Sequence, residues 1–150
     1  MKKNWRLLIP TLVLTAGMLY SCSKEDTKPL TKTQLLSLAN WKFKSAAANG
    51  TDVSSLLAAC QKDNLMTFAA AGTGTVNEGP SKCNAGDPDN TAFSWTFANN
   101  ETQINVSAPL FANGTNTLTI LTLTETDLVV TMGYSPPVGA SVLMTLSFIH

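Results

Sequence analysis

Histidine occurs once in these 150 residues, as the last residue, His150. That scarcity removes most metal and nucleophile chemistry. A zinc site needs three or four His or Cys ligands, and Ser or Cys nucleophiles need a neighbouring base. Charge is also sparse. Only 13% of residues are charged, and ten basic side chains balance ten acidic ones. No basic stripe exists to neutralise phosphates, so no nucleic-acid partner is expected. No apolar run reaches the roughly 20 residues of a membrane-spanning helix. There is no Cys-x-x-Cys, no EF-hand loop and no tandem repeat. Glycosidase chemistry needs two carboxylates facing one bond, and nothing brings Glu78 and Glu101 together. The chain is read as not an enzyme, with no catalytic residues, no metal and no cofactor.

The N-terminus carries an address. Lys2, Lys3 and Arg6 precede an apolar stretch over 7–19, which ends in Leu19-Tyr20-Ser21-Cys22. This order of a basic, an apolar and a small-residue segment is that of a signal peptide. The last four residues resemble the lipobox of bacterial lipoproteins, in which the cysteine receives diacylglycerol. Residues 1–21 are therefore expected to be removed, Cys22 to be lipidated and 22–33 to form a tether. Two acyl chains already anchor stably, at roughly 0.8 kcal/mol per buried CH₂. Cleavage removes three basic residues and leaves seven against ten acidic, a formal charge of −3. Glu25-Asp26, just after Cys22, resembles a surface-export signal. The expected location is the outer membrane of a Gram-negative bacterium, displayed at the cell surface, with a periplasm-facing orientation as the alternative. The membrane, through the lipid on Cys22, is one expected partner.

Export explains the other two cysteines. Cys60 and Cys83 lie 23 positions apart in a compartment where disulfides persist, and they are read as a structural bridge. Asp63-Asn64 and Asp87, Asp89 and Asn90 offer oxygen ligands, but turn-forming hydrogen bonds to backbone explain them better.

Residues 34–150 alternate apolar and polar in short runs, the period of half-buried strands. These fall at 41–45, 65–71, 75–77, 91–98, 102–107, 117–124, 128–132 and 141–149. The apolar phase slips between Ile120 and Leu121, which predicts a bulge. Asn99-Asn100 reads as a tight hairpin turn. A short helix capped by Thr31 or Thr33 is expected to run through to Asn40. The pattern predicts an all-β fold, an antiparallel up-and-down β-barrel of seven to eight strands with a short N-terminal helix. An open sandwich is the runner-up.

The set Leu38-Ala39-Asn40-Trp41-Lys42, Cys60-Gln61-Lys62-Asp63-Asn64, Gly72-Thr73-Gly74, Glu78-Gly79, Lys82-Cys83, Trp95-Thr96-Phe97 and the hairpin at 121–130 resembles the lipocalin-like domains of small bacterial lipoproteins. Ala39 stands where lipocalins proper carry glycine. The resemblance implies a barrel with a ligand-accepting mouth. Trp41, Phe43, Phe68, Phe93, Trp95 and Phe97 are the candidate pocket residues for a small hydrophobic ligand; packed core is the competing reading. The alternative function is a surface interaction module, with a filled core, that contacts protein or glycan through its loops. Phe111, in the loop 108–116, is expected to be an exposed contact residue.

Overall fold

The computed structural model describes residues 28–150, so the signal segment and Cys22 lie outside the described residues. In order, the elements are α1 (Lys32–Leu36), β1 (Trp41–Ala48), β2 (Thr51–Asp52), a 3₁₀ turn (Ser54–Leu56) and α2 (Ala59–Lys62). Strands β3 (Leu65–Ala69), β4 (Thr73–Asn77), β5 (Asn90–Ala98) and β6 (Gln103–Val106) follow. The last three are β7 (Thr117–Leu123), β8 (Asp127–Tyr134) and β9 (Val142–Ile149).

Every pairing is antiparallel, and β9 pairs back onto β1, closing an eight-stranded barrel from β1 and β3 to β9. Closure removes the exposed edges an open sheet would present. Period-two alternation fills the interior. Met66, Phe68, Phe93, Trp95, Ile104, Leu128, Val130, Leu146 and Phe148 are all buried, whereas Thr67, Ser94 and Thr96 face outward. The predicted bulge in β7 is present: register shifts between Ile120 and Thr122, and Leu121 is left exposed. A second shift, between Phe43 and Ser45 of β1, leaves no mark on the apolar pattern.

One end is closed by local chemistry. Thr31 caps α1 in a reciprocal capping box with Gln34, satisfying donors that the first turn leaves free. Leu36 and Trp41 are fully buried there, and the Trp41 indole donates to the Leu36 carbonyl at 2.9 Å. That bond corrects the expected helix end. α1 stops at Leu36 because its carbonyl turns to the indole, and Asn40 instead accepts the Thr67 hydroxyl at 2.8 Å. Lys32 Nζ reaches the Glu101 carbonyl at 2.7 Å, fixing α1 against the β5–β6 turn. That turn spans four residues, with three successive positive φ angles at Asn99, Asn100 and Glu101. Ala70, inside the expected strand run 65–71, is exposed in the turn after β3, which Gly72 closes by donating its N–H to Ala69 O.

Candidate functional site at the loop-bearing end

The two ends of the barrel differ in their connections. Turns at 70–72, 99–102 and 124–126 are tight and share the end that α1 covers. Connections at 49–64, 78–89, 107–116 and 135–141 are longer and crowd the opposite end. Loops held by a rigid scaffold are where binding groups concentrate.

A disulfide clasps two of these connections. Cys60 on α2 is bonded to Cys83 in the β4–β5 loop, with Cα atoms 5.1 Å apart. Polar side chains reinforce it. Asp63 Oδ2 accepts the Ser81 amide at 2.9 Å. The Asn64 side-chain amide faces the carbonyls of Cys60 and Glu78, and the orientation that satisfies it turns its nitrogen to donate to both at 2.9 Å. Gly79 is at φ 65°, and a Cβ there would lie 2.6 Å from the Asp63 carbonyl oxygen. Asp87 accepts the Asn84 amide at 2.8 Å through Oδ2, and Lys82 Nζ bonds both the Asp87 carbonyl and the Asp89 carboxylate. The Lys82 hydrogen bond and its charge hold the Asp89 carboxyl below its ordinary value. The partnered oxygens of Asp63, Asp87 and Asp89 shape these loops, whereas Asp63 Oδ1 is buried with no hydrogen-bond partner among the described residues.

The third connection folds inward. Its residue Phe111 is only 6% exposed, which corrects the expectation of an exposed contact aromatic. The ring sits against Phe43 (centroids 6.3 Å) and Phe148 (6.0 Å). Loop 107–116 is tied behind Phe111 by Thr115 N to Gly133 O and Ser135 N to Asn113 O. Its apolar tip is thereby turned into the mouth.

Two spaces flank this tip. Inside, a gap of about 10 Å³ is bounded by Met66, Phe68, Leu110, Phe111, Leu118 and neighbouring strand residues. One water is about the limit of such a volume. Outside lies a half-open cleft of about 290 Å³ between the clasped loops and the β6–β7 loop. Its walls include Gln61, Asn64, Glu78, Asn84 and Asp87, over apolar Val76, Leu110 and Phe111. Across the same end, an apolar groove of about 190 Å³ is framed by Val53, Leu56, Leu57, Tyr134, Pro136 and Val142.

Of the six aromatics singled out from sequence, only Phe68 borders the inner gap. The others pack on one another or on other core residues. Phe68 meets Phe93 and Trp95 edge-on at 5.3 and 5.8 Å, and Trp95 meets Phe97 at 5.2 Å. Phe43 packs edge-on to Phe148, and Trp41 lies on the barrel floor under His150. Glu78 and Glu101 stand at opposite ends, Glu78 in the β4–β5 loop and Glu101 in the turn beside α1.

A model of the lipocalin-like domain family matches residues 38–130, well over half of the chain. The chain belongs to that family. None of the curated proteins matches it. The matched span takes in the disulfide-clasped segment, the β6–β7 loop and strands β1 to the first half of β8. The remaining strand, β9, closes this lipocalin-like barrel onto β1. A barrel of this kind is a ligand-binding type of domain. What sequence reading missed is the outer cleft. Its wall residues are scattered over three loops, and loops carry no periodicity by which neighbours could be paired. The one available signal was the Cys60–Cys83 spacing, which brings Gln61 and Asn64 beside Glu78 and Asn84.

Proposed function

We propose that this lipocalin-like protein is a non-catalytic, lipid-anchored binding module that takes its ligand in the outer cleft of the loop-bearing end. The observation that carries the reading is the opposition of the two ends. Residues 28–31 enter beside α1 at the closed end, whereas the clasped loops and the cleft occupy the other. A tether running back to a lipidated Cys22 leaves the cleft facing away from the bilayer, where a soluble ligand or a partner's loop can reach it. The filled interior supports an outer site over an inner one, since about 10 Å³ holds no small hydrophobic molecule.

Three measurements test the proposal. Cys22→Ala should abolish lipid labelling, and globomycin should leave an unprocessed precursor; normal labelling of the variant would sink the anchor. Native mass spectrometry of protein purified from its own host should show a ligand that is lost when cleft residues are blocked by Asn64→Trp.

A second reading keeps the ligand inside the barrel. Leu110 and Phe111 wall both the outer cleft and the inner gap, so their outward movement would join the two spaces. A hydrophobic ligand bound in this way should displace Phe111 from Phe43 and Phe148, which aromatic NMR contacts would report.

A further inference from the structure

We propose that the outer cleft recognises a small organic cation, a protonated amine carried on a compact apolar body, with Glu78 as its counter-ion. This rests on the reading of the cleft as the binding site and names the class of ligand it takes.

The charge of the walls is one-sided. Glu78 and Asp87 are lining residues, and none of the lining residues is Lys, Arg or His. The two acids differ in what they are doing. Both oxygens of Asp87 accept from Asn84, from its amide and its side chain. Glu78 is half-buried, and its carboxylate has neither a hydrogen bond nor an ion pair among the described residues. Its backbone, by contrast, is fixed on both sides. The N–H donates to Asp89 O at 3.0 Å, and the carbonyl accepts from the Asn64 side-chain nitrogen in the orientation that satisfies that side chain. Glu78 is thus a held carboxylate without a partner among the described residues.

The lysines of these loops are engaged elsewhere. Lys82 pairs with Asp89 at 2.6 Å and also bonds the Asp87 carbonyl, while Lys62 reaches the Ser54 carbonyl at 3.4 Å. A ligand that covered the cleft with a neutral apolar surface would desolvate Glu78 without compensation, which is costly. An anionic ligand would meet two like charges. A cation converts the same burial into a charge-assisted hydrogen bond. The floor sets the rest of the ligand. Val76 and Phe111 are 7% and 6% exposed, and Leu110 is half-buried between them and solvent. About 290 Å³ suits one ring or a short chain.

A matched series separates the terms: benzylamine, benzyl alcohol and benzoate share shape and differ in charge. Each is titrated into the full chain and followed by amide NMR. Benzylamine should shift the amides of Asn64, Glu78 and Ala112, and benzyl alcohol and benzoate should bind at least about tenfold more weakly. Glu78→Gln, which keeps shape and backbone bonds, should weaken benzylamine about tenfold while the remaining spectrum is unchanged. Glu125→Gln, in the β7–β8 turn at the closed end, should leave affinity as it was. Equal binding of alcohol and amine at the cleft, or an unaffected Glu78→Gln variant, would overturn the cation and leave the cleft as a site. Unmoved cleft amides with all three probes would overturn both the cation and the cleft.

Discussion

Trp41 joins the closed end of the barrel with one ring. It is fully buried, covers the floor, and spends its single polar atom on the Leu36 carbonyl. Trp41→Phe keeps most of the apolar surface but removes that donor. The buried carbonyl is then unpaired and a small void opens, so unfolding free energy should drop by about 2–3 kcal/mol, read as a lower urea midpoint at unchanged m-value. The opposite sign is expected at Glu101. It sits at φ 59° with its carbonyl held by Lys32 and its side chain in solvent. A left-handed backbone costs a non-glycine residue roughly 1–2 kcal/mol, and glycine returns part of that gain as unfolded-state entropy. Glu101→Gly should therefore stabilise by about 0.5–1 kcal/mol, visible as a higher melting temperature. Trp41 was legible from its alternation with Phe43. Phe111 was not, because a loop residue's burial depends on where the loop folds, and the local sequence carries no period that records it.

The clasp between α2 and the β4–β5 loop acts at the scale of elements. A 23-residue crosslink removes roughly 3 kcal/mol of chain entropy from the unfolded state. Cys60→Ser/Cys83→Ser should lose about that much stability and leave the strands' amide protection ordered as before. Loss of the cleft's NMR signature with an intact barrel spectrum would show that the clasp shapes loops more than it supports the sheet. Carboxylates give the barrel an acid limit. Asp52 is lowered by hydrogen bonds from Ser54, Asp89 by its bond to and charge of Lys82, and Asp127 chiefly by the Thr126 hydroxyl. A folded-state value below the unfolded one contributes stability above the unfolded value, and that contribution disappears as pH falls through the folded one. Urea midpoints should hold steady from pH 7 to 5 and decline below about 3.8, the ordinary carboxylate value. Asp89→Asn should make that decline shallower. All three groups are exposed, so the effect is modest and weakens in salt. Elements were legible wherever apolar phase was. The β7 bulge announced itself by a phase slip, whereas the β1 bulge falls at Lys44, between residues whose faces already alternate.

At the scale of the molecule, the barrel separates the end at which residues 28–31 enter from the end that carries the long loops. The fold class, closure and strand order followed from eight alternating runs with short links. The cleft did not, because it is made by three loops that meet only once the barrel is shut. The chain enters beside α1, and the strands carry it to the loop-bearing end about 8 residues per strand away, roughly 25 Å at 3.3 Å per residue before tilt. The β8–β9 loop at that far end exposes Val138 at 90%, and a Cβ at Gly139 would meet only Pro136 Cγ, at an ordinary 3.9 Å, so an insertion there disturbs little packing. An epitope tag placed after Gly139 should leave the melting temperature within about 2 °C, because the loop adds little to the core. If Cys22 is the anchor and Glu25-Asp26 directs export, antibody should stain the tag on intact cells, and added protease should remove the tag before the barrel is cut. A tag detected only after the outer membrane is permeabilised would place the cleft on the periplasmic side. The ligand would then be one met inside the envelope, and the cation series would be extended to periplasmic amines in place of extracellular ones.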